Sequence, residues 1–244
     1  MSKPPRFFIS PGQVSGPDIT ITDEDVRHIA TVLRMKTGDQ LLLCDGRGTE
    51  YTVKISDINK SAIKTNILGQ TKSVIRYPLI TLGQGLPKSD KMDWIVQKAT
   101  ELGTASIVAL ITERTIVKVK DEEKRLVRWR RICREAAMQS NRADIPTVEG
   151  IQTFKDYVQT LHPRPGTLLL LPWEEGTEPI KGVLRARPEV KNIVILIGPE
   201  GGFSAAEAAL AKDKGFHAVS LGPNILRTET ATVAVLGIIG YEYS

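Results

Sequence analysis

Residues 193–204 read Ile-Val-Ile-Leu-Ile-Gly-Pro-Glu-Gly-Gly-Phe-Ser, and few folds can house that run. Five apolar residues, four of them β-branched, fit a strand buried on both faces, the mark of a parallel sheet. Gly198, Gly201 and Gly202 follow at once and free the backbone for unusual angles with no side chain in the way. Ser204-Ala-Ala-Glu207 then has the form of a capping box that opens a helix. A buried strand, a glycine turn and a helix hold nucleotide-type ligands at the carboxyl end of many sheets. A tight turn without a ligand is the plainer reading, but three glycines around Pro-Glu exceed what such a turn needs. The spacing matches neither the P-loop nor the dinucleotide fingerprint.

A second run, from Ser220 to Ala231, repeats the pattern: a strand end, Gly222-Pro223, a short excursion through Leu226, then a helix entered at Arg227–Thr230. Thr228 suits the N-cap, and Glu229 suits the positive end of the helix dipole. From Ala231 to Ile239 the helix is apolar nearly all round, which calls for burial within the chain or against a partner subunit.

The rest of the chain falls into two grammars. In the first seventy residues, strand-like runs at Gln40–Cys44, 49–56 and 61–68 surround one helix at 24–34, with Thr22 or Asp23 as its cap. Asp45-Gly46-Arg47-Gly48 supplies a turn. Beyond residue 72, strands at 79–83, Ser106–Ile111, 167–171, Asn192–Ile197 and 218–221 alternate with helices at 90–102 and 122–141. The expected architecture is therefore α/β, with a largely parallel sheet covered on both faces and a small barrel-like domain before it. The junction is expected near 70–76, dividing the chain into 1–72 and 73–244.

Charge and cysteine usage narrow the classes. The net charge is +5, but residues 1–70 balance nine Lys/Arg against eight acids, whereas 113–134 carry nine against four. The 122–141 helix has an apolar stripe of Leu126, Trp129, Cys133 and Ala136–Ala137 and an outer row of Arg125, Arg128, Arg131 and Arg134. That row suits an anionic partner or a solvated face. No apolar run approaches the ~20 residues of a membrane helix, and the N-terminal residues lack the apolar core of a secretory signal. Two distant cysteines, Cys44 and Cys133, then read as reduced core thiols of a cytoplasmic protein. The three histidines have no metal-ligand spacing, so no metal is expected.

The Gly-Pro-Glu-Gly-Gly-Phe-Ser and Leu-Gly-Pro-Asn-Ile-Leu-Arg-Thr-Glu-Thr-Ala segments together resemble the signature of the SPOUT methyltransferase superfamily, and within it the bacterial 16S rRNA uracil-N3 methyltransferase (RsmE) family. The similarity extends through Arg6-Phe7-Phe8, His28 to Arg34, Lys88 to Met92, Gln97 to Gly103 and Glu135 to Ser140. Met138 and Asn141 depart from it, where a polar residue and glycine are expected. The resemblance implies a C-terminal SPOUT domain with a parallel sheet and a deep trefoil knot, a PUA-like N-terminal β-barrel that binds RNA, and a homodimer with active sites at the interface.

It further implies S-adenosylmethionine as cofactor, held by Leu171, Pro172, Gly198, Pro199, Glu200, Gly201, Gly202, Leu221, Gly222, Pro223, Leu226, Arg227, Thr228, Thr230 and Ala231. 16S rRNA of the small ribosomal subunit is the implied partner, contacted through Arg6, His28, Arg34, Lys88, Arg114, Lys118, Arg128 and Arg142. Methylation of uracil N3 needs the N3 proton removed and charge on the flanking carbonyls stabilised. Arg227 is the candidate cation, or else a phosphate ligand. Glu229 or Glu200 is the candidate base, or else only a helix cap or cofactor anchor. A SPOUT enzyme acting on ribose 2′-oxygen and a non-catalytic RNA-binding assembly factor are the competing readings.

Overall fold

The computed structural model describes residues 4–22, 24–74 and 78–244. Asp23, an expected cap, and residues 75 and 76, in the expected junction, lie outside the described residues. The chain forms two compact units, one of residues 1–75 with 137–145, the other of 76–136 with 146–244.

In the first unit, β1 (Arg6–Phe8), β2 (Val14–Ser15), β3 (Asp18–Ile21), β4 (Gln40–Cys44), β5 (Thr49–Ile58) and β6 (Ile63–Lys72) form one sheet in the order β1-β4-β5-β6-β3-β2. Among these strands β1 and β4 pair parallel and the other pairings are antiparallel. Leu41 and Leu43 alternate onto the buried face with Val53, Ile55 and Ile63, as a strand period of two requires. Asp45 closes the β4–β5 turn by accepting from the N–H groups of Arg47 and Thr49 at 2.7 and 2.9 Å. The expected single helix is two pieces: α1 (Glu24–Arg27) and a π-helical turn, His28–Val32, ended by Arg34 at φ 53°. The sequence pattern gives no sign of segment 137–145 in this unit. Its packing explains it, since Ala137, Met138, Ala143 and Ile145 close on Phe8 and Cys44. Asn141 sits at φ 59°. Asn fills the position where a glycine is expected, because Asn tolerates the left-handed region.

In the second unit, β7 (Leu79–Gly85), β8 (Ser106–Ile111), β9 (Thr147–Thr153), β10 (Thr167–Pro172), β11 (Glu178–Pro179), β12 (Asn192–Ile197) and β13 (His217–Ser220) lie in the order β11-β13-β10-β12-β7-β8-β9. Every pairing is parallel. The helices are α2 (Lys91–Glu101), α3 (Glu122–Gln139), α4 (Phe154–Thr160), α5 (Ile180–Arg185), α6 (Ala205–Asp213) and α7 (Thr228–Glu242). Strands β8, β10 and β12 share a core with α4 and α6 through Leu110, Val158, Leu171, Leu196, Phe203 and Ala208. Helix α7 packs on α2, α5 and β12. Helix α2 stops where Gly103 takes φ 90°, and Trp129, Cys133 and Ala136 of α3 are buried as its apolar stripe predicts.

One helix start differs from expectation. Thr228 is the first residue of α7 and Arg227 occupies the cap position, without a side-chain bond to the helix. The Thr228 hydroxyl is committed elsewhere: it donates to the Gly198 carbonyl at 2.6 Å. Among the described residues no helix is long and apolar enough to cross a membrane, and no cluster of His, Cys, Asp and Glu is able to hold a metal.

Candidate active site

Strands β13, β10 and β12 are neighbours and run parallel, so the loops that leave them emerge side by side at the carboxyl edge of the sheet. They enclose a pocket of about 150 Å³. Pro172, Trp173 and Glu174 come from the end of β10 and the loop after it, Ile197 to Glu200 with Gly202 and Phe203 from the end of β12 and its glycine turn, and Ser220 to Leu226 from the end of β13 and the loop after it. Thr228 and Ala231 of α7 complete the lining. Edges of this kind are where open α/β sheets bind ligands.

The glycine turn is shaped by close backbone approach. A Cβ on Gly198 would lie 2.9 Å from the carbonyl carbon of Gly202, and one on Gly85 at the end of β7 would lie 2.6 Å from Pro199 Cδ. Gly202 takes φ 69° while its N–H donates to Pro199 at 2.9 Å. The helix that follows has both bonds of its capping box: Glu207 N–H to Ser204 Oγ and Ser204 N–H to the Glu207 carboxylate. The other Glu207 oxygen accepts from Glu113 N–H at 2.9 Å, and Arg114 donates to the Gly201 carbonyl at 2.6 Å. Arg114, expected to contact RNA, thus buttresses the turn.

Beneath the pocket lies a buried polar network that the sequence reading missed. Gln84 of β7 is fully buried; its amide donates to the Thr228 hydroxyl at 2.9 Å and to Gly85 O. Its carbonyl accepts from Thr232 at 2.7 Å. A lone Gln at the end of an apolar strand was the signal available, because a buried amide must find partners.

Of the residues expected to hold a cofactor, Pro172, Gly198, Pro199, Glu200, Gly202, Leu221, Gly222, Pro223, Leu226, Thr228 and Ala231 line the pocket. Leu171, Gly201, Arg227 and Thr230 do not: Leu171 is in the core, Gly201 backs onto Arg114, and Arg227 and Thr230 are exposed at the start of α7. Trp173, Glu174, Ile197, Phe203, Ser220, Asn224 and Ile225 join the lining unforeseen. The Trp173 indole N–H is buried without a hydrogen-bond partner, and Lys212 lies 4.6 Å over its ring.

The candidate acids share a cation. Lys91, the first residue of α2, places its ammonium 3.1 Å from Glu200 and 3.3 Å from Glu229. Burial raises the Glu200 pKa, but its own backbone N–H, the Lys91 ammonium and the Lys88 N–H outweigh that, and the net direction is down. The hydrogen bond to Glu200, foremost, and that to Glu229 raise the Lys91 pKa. Arg227 is exposed and its guanidinium has no hydrogen-bond or ion-pair partner among the described residues.

The residues expected to meet RNA divide into two groups. His28, Arg34, Lys88 and Lys118 are exposed. Arg6 and Arg142 turn inward instead: Arg6 pairs with Glu50 at 2.6 Å and donates to Cys44 Sγ and Arg142 O, and Arg142 pairs with Asp144. On α3, Arg128 pairs with Asp93, which also accepts from the Trp129 indole, and Arg131 pairs with Glu135. The arginine row is partly neutralised by its own neighbours.

Comparison with known proteins places this geometry. An RNA methyltransferase domain family matches residues 76–240, and an RNA methyltransferase PUA domain family matches 21–68. Ribosomal RNA small subunit methyltransferase E of Bacillus subtilis is 32% identical over 248 residues, covering 97% of this chain and 96% of its own. The protein of the same name from Synechocystis is 34% identical, covering 96% of this chain and 76% of its own. The crystal structure of ribosomal RNA small subunit methyltransferase E from Neisseria gonorrhoeae bound to S-adenosyl methionine superposes with TM-score 0.86 at 32% identity, covering 98% of this chain and 97% of its own.

Proposed function

From the premise that this chain belongs to the RNA methyltransferase family that includes ribosomal RNA small subunit methyltransferase E, we propose that it transfers the methyl group of S-adenosylmethionine to N3 of a uridine in 16S rRNA, as a cytoplasmic homodimer with a knotted C-terminal domain. The observation that carries the cofactor assignment is the charge of the pocket. Glu174 and Glu200 line it, and among the described residues no Lys or Arg does. Such a lining repels phosphates and suits a ligand bearing sulfonium and ammonium charges. The bare backbone at Gly202 and Gly222 leaves room for the ligand.

When bound, S-adenosylmethionine supplies an electrophilic methyl group. The chain's own work is to hold it against uracil N3, to take the N3 proton and to balance charge on the carbonyl oxygens. Arg227 suits the charge-balancing role, since its guanidinium is exposed and unpaired beside the pocket loop. Glu200 is a poor proton acceptor: Lys88 N–H and Lys91 already engage it and its pKa is lowered. The Glu229 carboxylate has Lys91 as its only hydrogen-bond or ion-pair partner among the described residues, one fewer than Glu200, and is the better-placed candidate for the proton.

The homodimer reading rests on α7. Val235, Leu236 and Ile239 are buried within the chain. Thr230, Gly237 and Tyr241 are exposed, and Ala234 between them is half-buried. They recur at helical spacing as a strip for a second copy.

The test is methylation of small subunits from a strain lacking the modification, followed by nucleoside analysis. N3-methyluridine is the expected product. A 2′-O-methyl nucleoside refutes the base assignment, and absence of cofactor binding by calorimetry refutes the enzyme.

A further inference from the structure

Lys91 stands where three segments meet: the start of α2, the turn after β12 and the first turn of α7. Its ammonium lies 3.1 Å from a Glu200 oxygen and 3.3 Å from a Glu229 oxygen. Glu200 lines the pocket, and Glu229 is two residues beyond the unpaired Arg227. Among the described residues no other side chain forms an ion pair with either carboxylate. The lysine side chain is 33% exposed, and pairs this accessible contribute little to stability. A bridge of small stabilising value between two carboxylates of one site calls for a role in the site itself.

We infer that Lys91 is a positioning residue for methyl transfer: its ammonium ties the glycine turn to the N-terminal end of α7 and so sets Glu229 and Arg227 against the pocket. The inference rests on the methyltransferase reading above and deepens it. Lys91 touches neither methyl donor nor acceptor in this role; it acts through the two glutamates.

The surrounding charges give the role a signature. Lys88 and Asp90 precede α2, Arg227 precedes Glu229, and Glu174 lines the same pocket. Asp93, further along α2, is turned to Arg128 and Trp129. With the ammonium removed, Glu200 and Glu229 lose the charge between them, and like charges facing each other raise the pKa of one. The acidic limb of the activity profile then moves to higher pH.

The experiment uses the full chain with Lys91→Met, Lys91→Gln and Lys91→Arg, measuring melting temperature, S-adenosylmethionine binding by calorimetry, and methylation of small subunits against pH. The wild-type chain is assayed first, so a failure of the methyltransferase reading appears there and a failure of this inference only in the variants. The Met and Gln variants are expected to melt as wild type, to lose at least about tenfold in kcat through misplacement, and to move the acidic limb up by about one pH unit. KM for the subunit should change little, and Arg should restore the limb. Wild-type kcat with an unmoved limb in a folded Met variant overturns the inference. A large fall in melting temperature in both Met and Gln variants overturns it too, because the bridge then serves the fold.

Discussion

Replacing Thr228 with Val keeps the side-chain volume and removes one hydroxyl, which isolates what the buried network contributes. That hydroxyl donates to Gly198 O at 2.6 Å and accepts from Gln84 at 2.9 Å, with Thr228 4% exposed and Gln84 fully buried. The variant leaves the Gly198 carbonyl without this donor, while Gln84 keeps Gly85 O and Thr232. A lost buried bond that leaves a partner unsatisfied costs about 1–3 kcal/mol. Taking about 2 kcal/mol, and about 2–4 °C per kcal/mol for a unit of this size, the melting temperature falls by roughly 4–8 °C. Cofactor affinity falls with it, because the hydroxyl pins the turn that walls the pocket. Thr228→Ser keeps the hydroxyl and loses one methyl, a change of about 1 kcal/mol. Thermal melts followed by circular dichroism, with calorimetric cofactor titrations, read both effects. A Val variant that melts with wild type, or a Ser variant that falls as far as Val, refutes the reasoning.

Lys118→Ala with Lys120→Ala should flatten the log–log salt dependence of RNA binding by about 1.5, since both are exposed and each phosphate contact carries somewhat under one unit; an unchanged slope by filter binding removes this segment from the RNA surface. Gly237→Glu should yield a folded monomer with little activity, because Gly237 is exposed with nothing within 4 Å of an added Cβ; a dimer by light scattering refutes the α7 interface. Val235→Glu and Ile239→Glu should unfold the chain instead, since both positions are fully buried within one copy; circular dichroism showing a folded variant of either counts against that packing. Cys44 should resist alkylation at pH 8 until the chain is denatured: burial, partly offset by Arg6 and reinforced by Glu50, pushes its pKa to about 11, so the thiolate is absent below that range; native-state labelling at that pH refutes this.

The parts of the fold that read correctly from sequence are those in which local pattern and tertiary demand agree. The Ile193–Ile197 run is apolar because both faces of β12 are buried, with Val194 and Leu196 in the core shared with α4 and α6, Ile193, Ile195 and Ile197 buried as well, and α7 packed on the strand, and the Ser204–Glu207 box caps because its partners are three residues apart. The helix expected at 24–34 is one short α-helical piece followed by a π-turn. The carbonyl of His28 accepts from Leu33 and that of Ile29 from Met35, a choice that side-chain periodicity does not record. Strand β9 escaped because Thr147-Val-Glu-Gly-Ile-Gln-Thr has too few apolar residues to announce an edge strand. The return of 137–145 to the first unit is a matter of which core Ala137, Met138 and Ala143 meet, and small apolar residues carry no address for that.

The candidate site divides in the same way. Its glycine turns were legible because backbone angle and close approach restrict residue type at the position itself. Its polar residues were legible as types but not as partners. Glu200 and Glu229 stand out as acids beside glycine turns, yet only the fold brings Lys91 between them. The arginines mislead for the converse reason. A guanidinium counts as surface charge in any tally along the chain, whereas Arg6 and Arg128 each answer an acid that lies far away in sequence and Arg142 one that lies two residues on. Arg227 differs from these three: its backbone carbonyl accepts from Ala231 N–H at 2.8 Å at the start of α7, while its side chain pairs with no acid among the described residues. Arg227 thus stands as an unpaired cation beside an acidic pocket, open to an anionic or electron-rich substrate group.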